Sequence, residues 1–297
     1  MPSAIHEGYV QAITSNRPTT APSLEEMRVG VEQMLNDPSA TASIEEFSIG
    51  ALKVDRVRAP GGSDDTTIVH CHGGGYVLGS RISHRAFAAR LSASTRATVL
   101  LPEYRLAPEH VFPAALEDLL SLIAWIGRGE AGNRRLVLSG DSAGGGLVIA
   151  AFLALKESRL PLPTAGVCLS PWVDLTMSGD SARPGEVDDP LLDSNALSMM
   201  AGLYAPGKLD SPLASPLRGD LAGLPPLLIM AGTREILVDD ARRLARRASE
   251  SGVVVDYHEE AGLSHAWPVM VPSAPESIKA LSLIGRFIAA QPLKAVA

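Results

Sequence analysis

The sequence predicts an α/β chain built on a mostly parallel sheet covered on both faces. Two observations carry that expectation. Short apolar β-like runs alternate with helical stretches along most of the chain. The 297 residues are 46% hydrophobic, enough for a large core, and at 4% aromatic that core should be mainly aliphatic. Length alone would allow two domains, but α/β folds of this size often form one, so residues 1–297 are read as a single domain.

The elements follow in order. Glu46 to Ile49 and Leu52 to Arg58 are two short β-like runs, closed by a turn at Pro60-Gly61-Gly62. Thr67 to Cys71 is a strand and Ser83 to Ser94 a helix. Ala97 to Leu101 is a strand, followed by a helix over Pro113 to Ile126 with proline in its first turn. Leu136 to Ser139 is a strand and Gly144 to Lys156 a helix. Val167 to Leu169 and Leu227 to Ala231 are further strands. Asp239 to Ser251 is a helix, Val253 to Tyr257 a strand, and Ser277 to Ala289 a last helix. Two stretches break the alternation. One is an N-terminal arm to about residue 42, helical from Leu24 to Leu35. The other is a Pro-, Gly-, Ser- and Asp-rich segment over 178–223. Insertions of that length are often functional, so the two are candidates for a cap over the sheet.

Composition narrows the function. A net charge of −7 argues against a nucleic-acid surface. The one basic cluster, Arg242, Arg243, Arg246 and Arg247, has helical spacing and follows Asp239 and Asp240, as a solvated helix face would. Met1 to Pro38 is polar, without the apolar core of a signal peptide, and no apolar run reaches ~18 residues. A cytoplasmic protein with no membrane insertion is expected. Cys71 and Cys168 lie in apolar strands and are expected as free core thiols.

The chemistry concentrates in two glycine motifs. Gly140-Asp141-Ser142-Ala143-Gly144 lies between a strand and a helix, the setting of a nucleophile elbow. Upstream, His72-Gly73-Gly74-Gly75 follows a strand, where the N–H groups of Gly73 and Gly74 could join that of Ala143 in an oxyanion hole. Other glycine chemistries fail. A phosphate-binding Walker loop needs lysine after its last glycine, and Gly145 is followed by Gly146. A dinucleotide fingerprint starting at Gly73 would need glycine where the chain has Leu78. His70-Cys71-His72 could suggest metal ligands, but no acidic or histidine partner follows nearby, so no metal is expected.

A serine hydroxyl needs a base to take its proton, and on this kind of sheet the acid and then the histidine follow the serine in chain order. His265 follows the Val253 to Tyr257 strand, whereas its rival His258 sits at the strand end. The acid should follow the Leu227 to Ala231 strand. Glu235 lies in that loop, while Asp239 and Asp240 look like the first turn of a helix, where carboxylates are stabilised by the dipole. Asp188 and Asp189 precede the strand and are set aside.

With these residues in place, the sequence resembles the hormone-sensitive lipase family of esterases, bacterial family IV within the α/β-hydrolase fold. The resemblance rests on His72-Gly73-Gly74-Gly75, Glu103-Tyr104-Arg105-Leu106-Ala107-Pro108-Glu109, Pro113-Ala114-Ala115, Gly140 to Gly145, Ser170-Pro171-Trp172 and His265. Their order is kept over roughly residues 67 to 270. It implies an eight-stranded sheet, a helical cap and a cofactor-free esterase with Ser142, Glu235 and His265 as triad, acting on short- to medium-chain esters. Two departures stand out. Many members have Asp-Pro-Leu where this chain has Glu235-Ile236-Leu237, and many have Asp where it has Glu103. Lactones would be opened by the same triad. Related hormone receptors bind ligand without turnover, having lost the histidine, and the presence of both Ser142 and His265 argues against that reading. Relatives often pair as homodimers, here through Val253 to Tyr257 and Ser277 to Ala289.

Overall fold

The computed structural model describes residues 1–16, 22–35, 37, 41–130 and 135–293. Residues 17–21, 36 and 38–40 of the expected N-terminal arm lie outside the described residues. The strands are β1 (Ser43–Ile49), β2 (Leu52–Arg58), β3 (Ser63–Cys71), β4 (Ala97–Pro102), β5 (Arg135–Asp141), β6 (Ala165–Leu169), β7 (Leu227–Arg234) and β8 (Val255–Ser264). They form one eight-stranded sheet in the order β1-β2-β4-β3-β5-β6-β7-β8. β2 is antiparallel to both its neighbours, and every later pairing is parallel.

Strand alternation explains how the sheet is covered. Ile68, Val137, Val167 and Leu228 belong to one apolar cluster, and their neighbours Val69, Leu138, Cys168 and Ile229 to the other. Successive residues of a strand face opposite ways, so a strand buried on both sides is apolar without a break. On the first face Phe87 and Leu91 of α3 (Arg85–Thr95) pack with Leu281 and Ile284 of α9 (Pro275–Ala289). On the second lie α4 (Ala114–Trp125), α5 (Ala143–Glu157) and α7 (Val238–Glu250). α5 is buried from Ala143 through Leu155, as an interior helix apolar all round must be.

The structure adds elements that the sequence hid. The N-terminal arm carries α1 (Ala4–Ser15) ahead of α2 (Leu24–Leu35). The segment read as irregular over 178–223 contains α6 (Ser194–Tyr204), capped by Asp193, whose side chain accepts from Ala196 N at 2.9 Å. β8 runs on to Ser264 rather than ending at Tyr257, and a short α8 (Trp267–Met270) follows. The buried core is mainly aliphatic, as expected, being made mostly of Val, Leu, Ile and Ala. The scarce aromatics collect inside, so the largest fully buried side chains are Trp172, Trp267, Tyr76, Tyr104, Tyr204, Phe87 and Phe152. Among the described residues no helix is long and apolar enough to cross a membrane. Both cysteines are free and buried.

Candidate active site

The turn from β5 into α5 bends sharply at Ser142, whose φ of 54° and ψ of −122° are costly for a residue with a side chain. Glycine on either side makes the bend possible. A Cβ on Gly140 would lie 2.3 Å from the carbonyl of Gly144, and one on Gly144 only 2.0 Å from Cys71 O of β3. Ser142 N donates to Leu169 O at 2.9 Å, and Ser142 O accepts from Trp172 N at 2.9 Å, so β6 and the loop after it brace the turn from below. Ser142 stands at the N-terminus of a 15-residue helix, whose partial positive charge favours an anion forming beside it.

The glycine loop after β3 faces this turn. Gly74 and Gly75 have φ of +112° and +63°, and a Cβ on Gly73 would sit 2.3 Å from Asp141 Oδ2. The loop lies against the elbow more closely than any side chain would permit. No backbone hydrogen bond among the described residues uses the N–H of Gly73, Gly74 or Ala143. His72, by contrast, is built into the structure. Its Nδ1 donates to Gly73 O at 2.8 Å, its ring stacks on Tyr104 at 4.1 Å, and burial pulls its pKa down to about 3.

His265 directly follows β8, and Glu235 directly follows β7. Glu235 is fully buried, and its Oε2 lies 2.6 Å from His265 Nδ1. Oε1 of the same carboxylate accepts from Gly232 N at 2.8 Å and from Ser170 Oγ at 3.0 Å. Burial alone would lower the pKa of His265. The hydrogen bond and charge of Glu235 outweigh burial, helped by Asp189 and Asp141, and the net shift is upward. Ser142 and His265 line one cavity of about 300 Å³, together with Gly73 and Gly74.

The rival residues go elsewhere. His258 lies within β8 beside Asp256, at 3.0 Å. Asp239 accepts from Ser181 N at 2.9 Å and pairs with Arg242 at 3.0 Å. Asp189, set aside as an acid, braces the loop that carries Glu235, since its Oδ2 accepts from Ile236 N at 2.9 Å and so fixes the residue after Glu235. The arginine cluster of α7 is more than a solvated face, because Arg243 reaches buried Asp174 at 3.0 Å and Arg247 reaches Gly219 O.

Sequence reading misses two groups. Ser170, at φ +46°, both donates to Glu235 and accepts from Ala266 N at 2.9 Å, so it ties the two loops together. The second group sits beneath the elbow. His70 Nε2 and His84 Nε2 each lie 3.3 Å from Asp141 Oδ1, and all three residues are buried. Burial alone would raise the pKa of Asp141, but the two histidines hold its carboxyl well below the usual carboxylate range. Ser83 Oγ donates to Ser80 O, so His84 Nδ1 must donate to Ser83 Oγ. His70, His84 and Asp141 could hold a metal ion. No acidic or histidine partner follows His70-Cys71-His72 nearby in the chain, but the fold brings Asp141 of β5 and His84 of the turn before α3 to His70.

Residues 68–269 match the family described as alpha/beta hydrolase fold. Over 242 residues the chain is 41% identical to an acetyl-hydrolase of Streptomyces hygroscopicus, covering 81% of each protein. It superposes on the crystal structure of an esterase from the bacterial hormone-sensitive lipase family with a TM-score of 0.93 and 37% identity, over 98% of this chain and 99% of that one. It is also similar to EstE5, solved in a crystal soaked with p-nitrophenyl butyrate, at a TM-score of 0.91 and 34% identity, over 96% and 98% of the two chains. The fold and the site define an α/β hydrolase. Within that fold, the chain belongs to the bacterial hormone-sensitive lipase family of esterases.

Proposed function

We propose that this protein hydrolyses short- to medium-chain carboxylic esters with Ser142 as nucleophile, His265 as base and Glu235 as the acid that orients it. The observation that carries this reading is the 2.6 Å contact of Glu235 with His265 Nδ1, in a cavity that His265 shares with Ser142 on its strained turn. Glu235 keeps the proton of His265 on Nδ1, which leaves Nε2 free to take the proton of Ser142. The serine oxygen attacks the ester carbonyl, and the oxyanion is received by the N–H groups of Gly73, Gly74 and Ala143 at the start of α5. His265 returns the proton to the leaving alcohol. Water then attacks the acyl carbon as it gives a proton to His265, and the acid leaves as the bond to Ser142 Oγ breaks and His265 returns that proton to Ser142 Oγ. Every proton in the cycle is carried by side chains of this chain, so the reading needs no metal or cofactor.

The cavity supports small, uncharged substrates. Its walls beyond the polar centre are Met27 and Val31 of α2, Leu197 and Met200 of α6, and Leu191 and Leu192 ahead of α6. We read α1, α2 and the 178–223 segment as a cap on a single domain. At about 300 Å³ the cavity is at the small end of ligand pockets, which run to roughly 1,000 Å³. β8 pairs on one side only, and Val254 and Ile278 stand exposed beside that edge and on α9, which favours a homodimer through these elements. Light scattering that gives a monomer mass refutes the dimer. Two free buried thiols favour a cytoplasmic location. The reaction is tested with p-nitrophenyl esters from acetate to palmitate and with lactones of graded size. Butyrate is expected near the optimum, and Ser142→Ala should stay folded while losing on the order of 10⁶ in turnover. A palmitate optimum refutes the chain-length reading, a preference for lactones moves the substrate class, and an active Ser142→Ala removes the nucleophile.

A further inference from the structure

The first helix of the chain is fastened to the two loops that carry Glu235 and His265. Ser3 caps α1 and binds the Glu276 carboxylate at the start of α9 through its N–H and its hydroxyl. Pro2 packs on Gly262, where a Cβ would come within 2.8 Å of it. Glu7 lies 3.8 Å from Arg234, the residue before Glu235. Between these points His6 is fully buried, and its Nε2 accepts from Ser264 N at 3.1 Å, with Ser264 Oγ also at 3.1 Å.

A backbone N–H can only donate, so His6 Nε2 carries a lone pair and the ring proton sits on Nδ1. Ser264 is itself fully buried and ends β8, where it pairs with Arg234 on β7. Without His6, its N–H would be sealed from water with no acceptor, and burying an unpaired donor is disfavoured enough to move a peptide plane. That peptide joins Leu263 to Ser264, one residue ahead of His265. On the far side of His265, Ala266 is held at φ +48° and gives its N–H to Ser170 Oγ. The loop is thus pinned one residue before and one residue after the proposed base, and both pins are side chains distant in sequence.

We propose that His6 is a positioning residue for hydrolysis: as a hydrogen-bond acceptor at Ser264 N it fixes the peptide that aims His265. The inference rests on the proposed role of His265 and extends it to the N-terminal helix. Its signature is selective. The substrate cavity is lined by α2, α6 and the glycine loop, and His6 does not line it, so substrate affinity should be spared while the chemical step is not.

The test compares His6→Leu, which removes the acceptor, with His6→Gln, whose side-chain carbonyl reaches about as far as Nε2. Both are assayed on p-nitrophenyl butyrate, well below their melting temperatures, beside wild type and Ser142→Ala. His6→Leu should lose roughly ten- to hundredfold in kcat, the effect of a base misplaced by about an ångström, with KM within about twofold. His6→Gln should recover to within about threefold of wild-type kcat. Equal kcat for His6→Leu and wild type overturns the proposal, and so does a loss that His6→Gln fails to rescue. If His6→Leu does not fold, Glu276→Gln serves instead. It loosens α1 at Ser3 from the surface and should lower kcat at constant KM, so an unchanged kcat there overturns the proposal too. An active Ser142→Ala marks failure of the triad reading, whereas a dead Ser142→Ala beside a fully active His6→Leu marks failure of this inference alone.

Discussion

Replacing Glu235 with glutamine changes one atom and should stop the enzyme. The structure dictates which way the new amide turns. Oε1 of Glu235 accepts from Gly232 N, a group that can only donate, and from Ser170 Oγ. The glutamine carbonyl must take that position, so the NH₂ group faces His265 Nδ1 across the 2.6 Å now spanned by Oε2. An amide NH₂ there requires Nδ1 to accept. The imidazole proton moves to Nε2, and the nitrogen that should take the proton of Ser142 is blocked. The same wrong-tautomer change in a serine protease lowers turnover by ~10⁴. At about 1.36 kcal/mol per tenfold, that is roughly 5 kcal/mol on the barrier. Asp239→Asn is the control. Asp239 lies in the first turn of α7, where its carboxylate binds Ser181 N and Arg242, so losing its charge beside the helix dipole should lower stability by roughly 0.3–1 kcal/mol and leave most activity. Both variants are assayed at one pH on one ester, with thermal melts alongside. A dead Asp239→Asn beside an active Glu235→Gln would show that the acid lies one helical turn further on.

Two further outcomes follow from the same geometry. His265 must be neutral to take a proton, and Glu235 holds its pKa above the ordinary histidine value of 6.5, so the acid limb of kcat/KM against pH should fall above 6.5; a limb below that value would contradict the pairing with Glu235. Gly144→Ala should drive a Cβ into the Cys71 carbonyl, a loss of roughly 1–3 kcal/mol by overpacking, whereas Gly202→Ala on α6 meets nothing within 4 Å and should be neutral or stabilising, so equal melting temperatures would refute the close approach of the elbow to β3.

Much of this molecule is legible from residues alone, and the misses have physical causes. β2 and α2 begin and end where pattern places them, because each is bounded by a turn signal or a change of periodicity. Pattern cuts β8 short because His258, Glu259 and Glu260 are polar, yet an edge strand that is half exposed tolerates them. α1 hides in a polar arm, although Ser3 three residues before His6 is an N-cap signal that could reveal it. α6 hides in a Pro- and Gly-rich stretch, where Asp193 alone marks its start. At the site, Ser142, Glu235 and His265 can be named because each follows a recognisable strand. Ser170 can be quoted as part of a motif but its role cannot be read from it, and His84 and His6 carry no signal at all, because the partners of the three lie 65, 57 and 258 residues away and no local pattern records such distances (84 to 141 for the second).

The fastening of α1 also sets a timetable for synthesis. Within this chain α1 is made before any strand of the sheet, but Ser264 and Glu276, its seats for His6 and Ser3, are made 258 and 273 residues later. At typical elongation of about 5–20 residues per second, α1 waits roughly 10–50 s before its docking surface exists. Through that interval the sheet grows from its N-terminal strands while the loop of His265 is still unmade. Synthesis of β8, docking of α1 and pinning of the His265 loop are therefore late events on one schedule, and a nascent chain stalled before residue 264 lacks both His265 and the surface that receives α1.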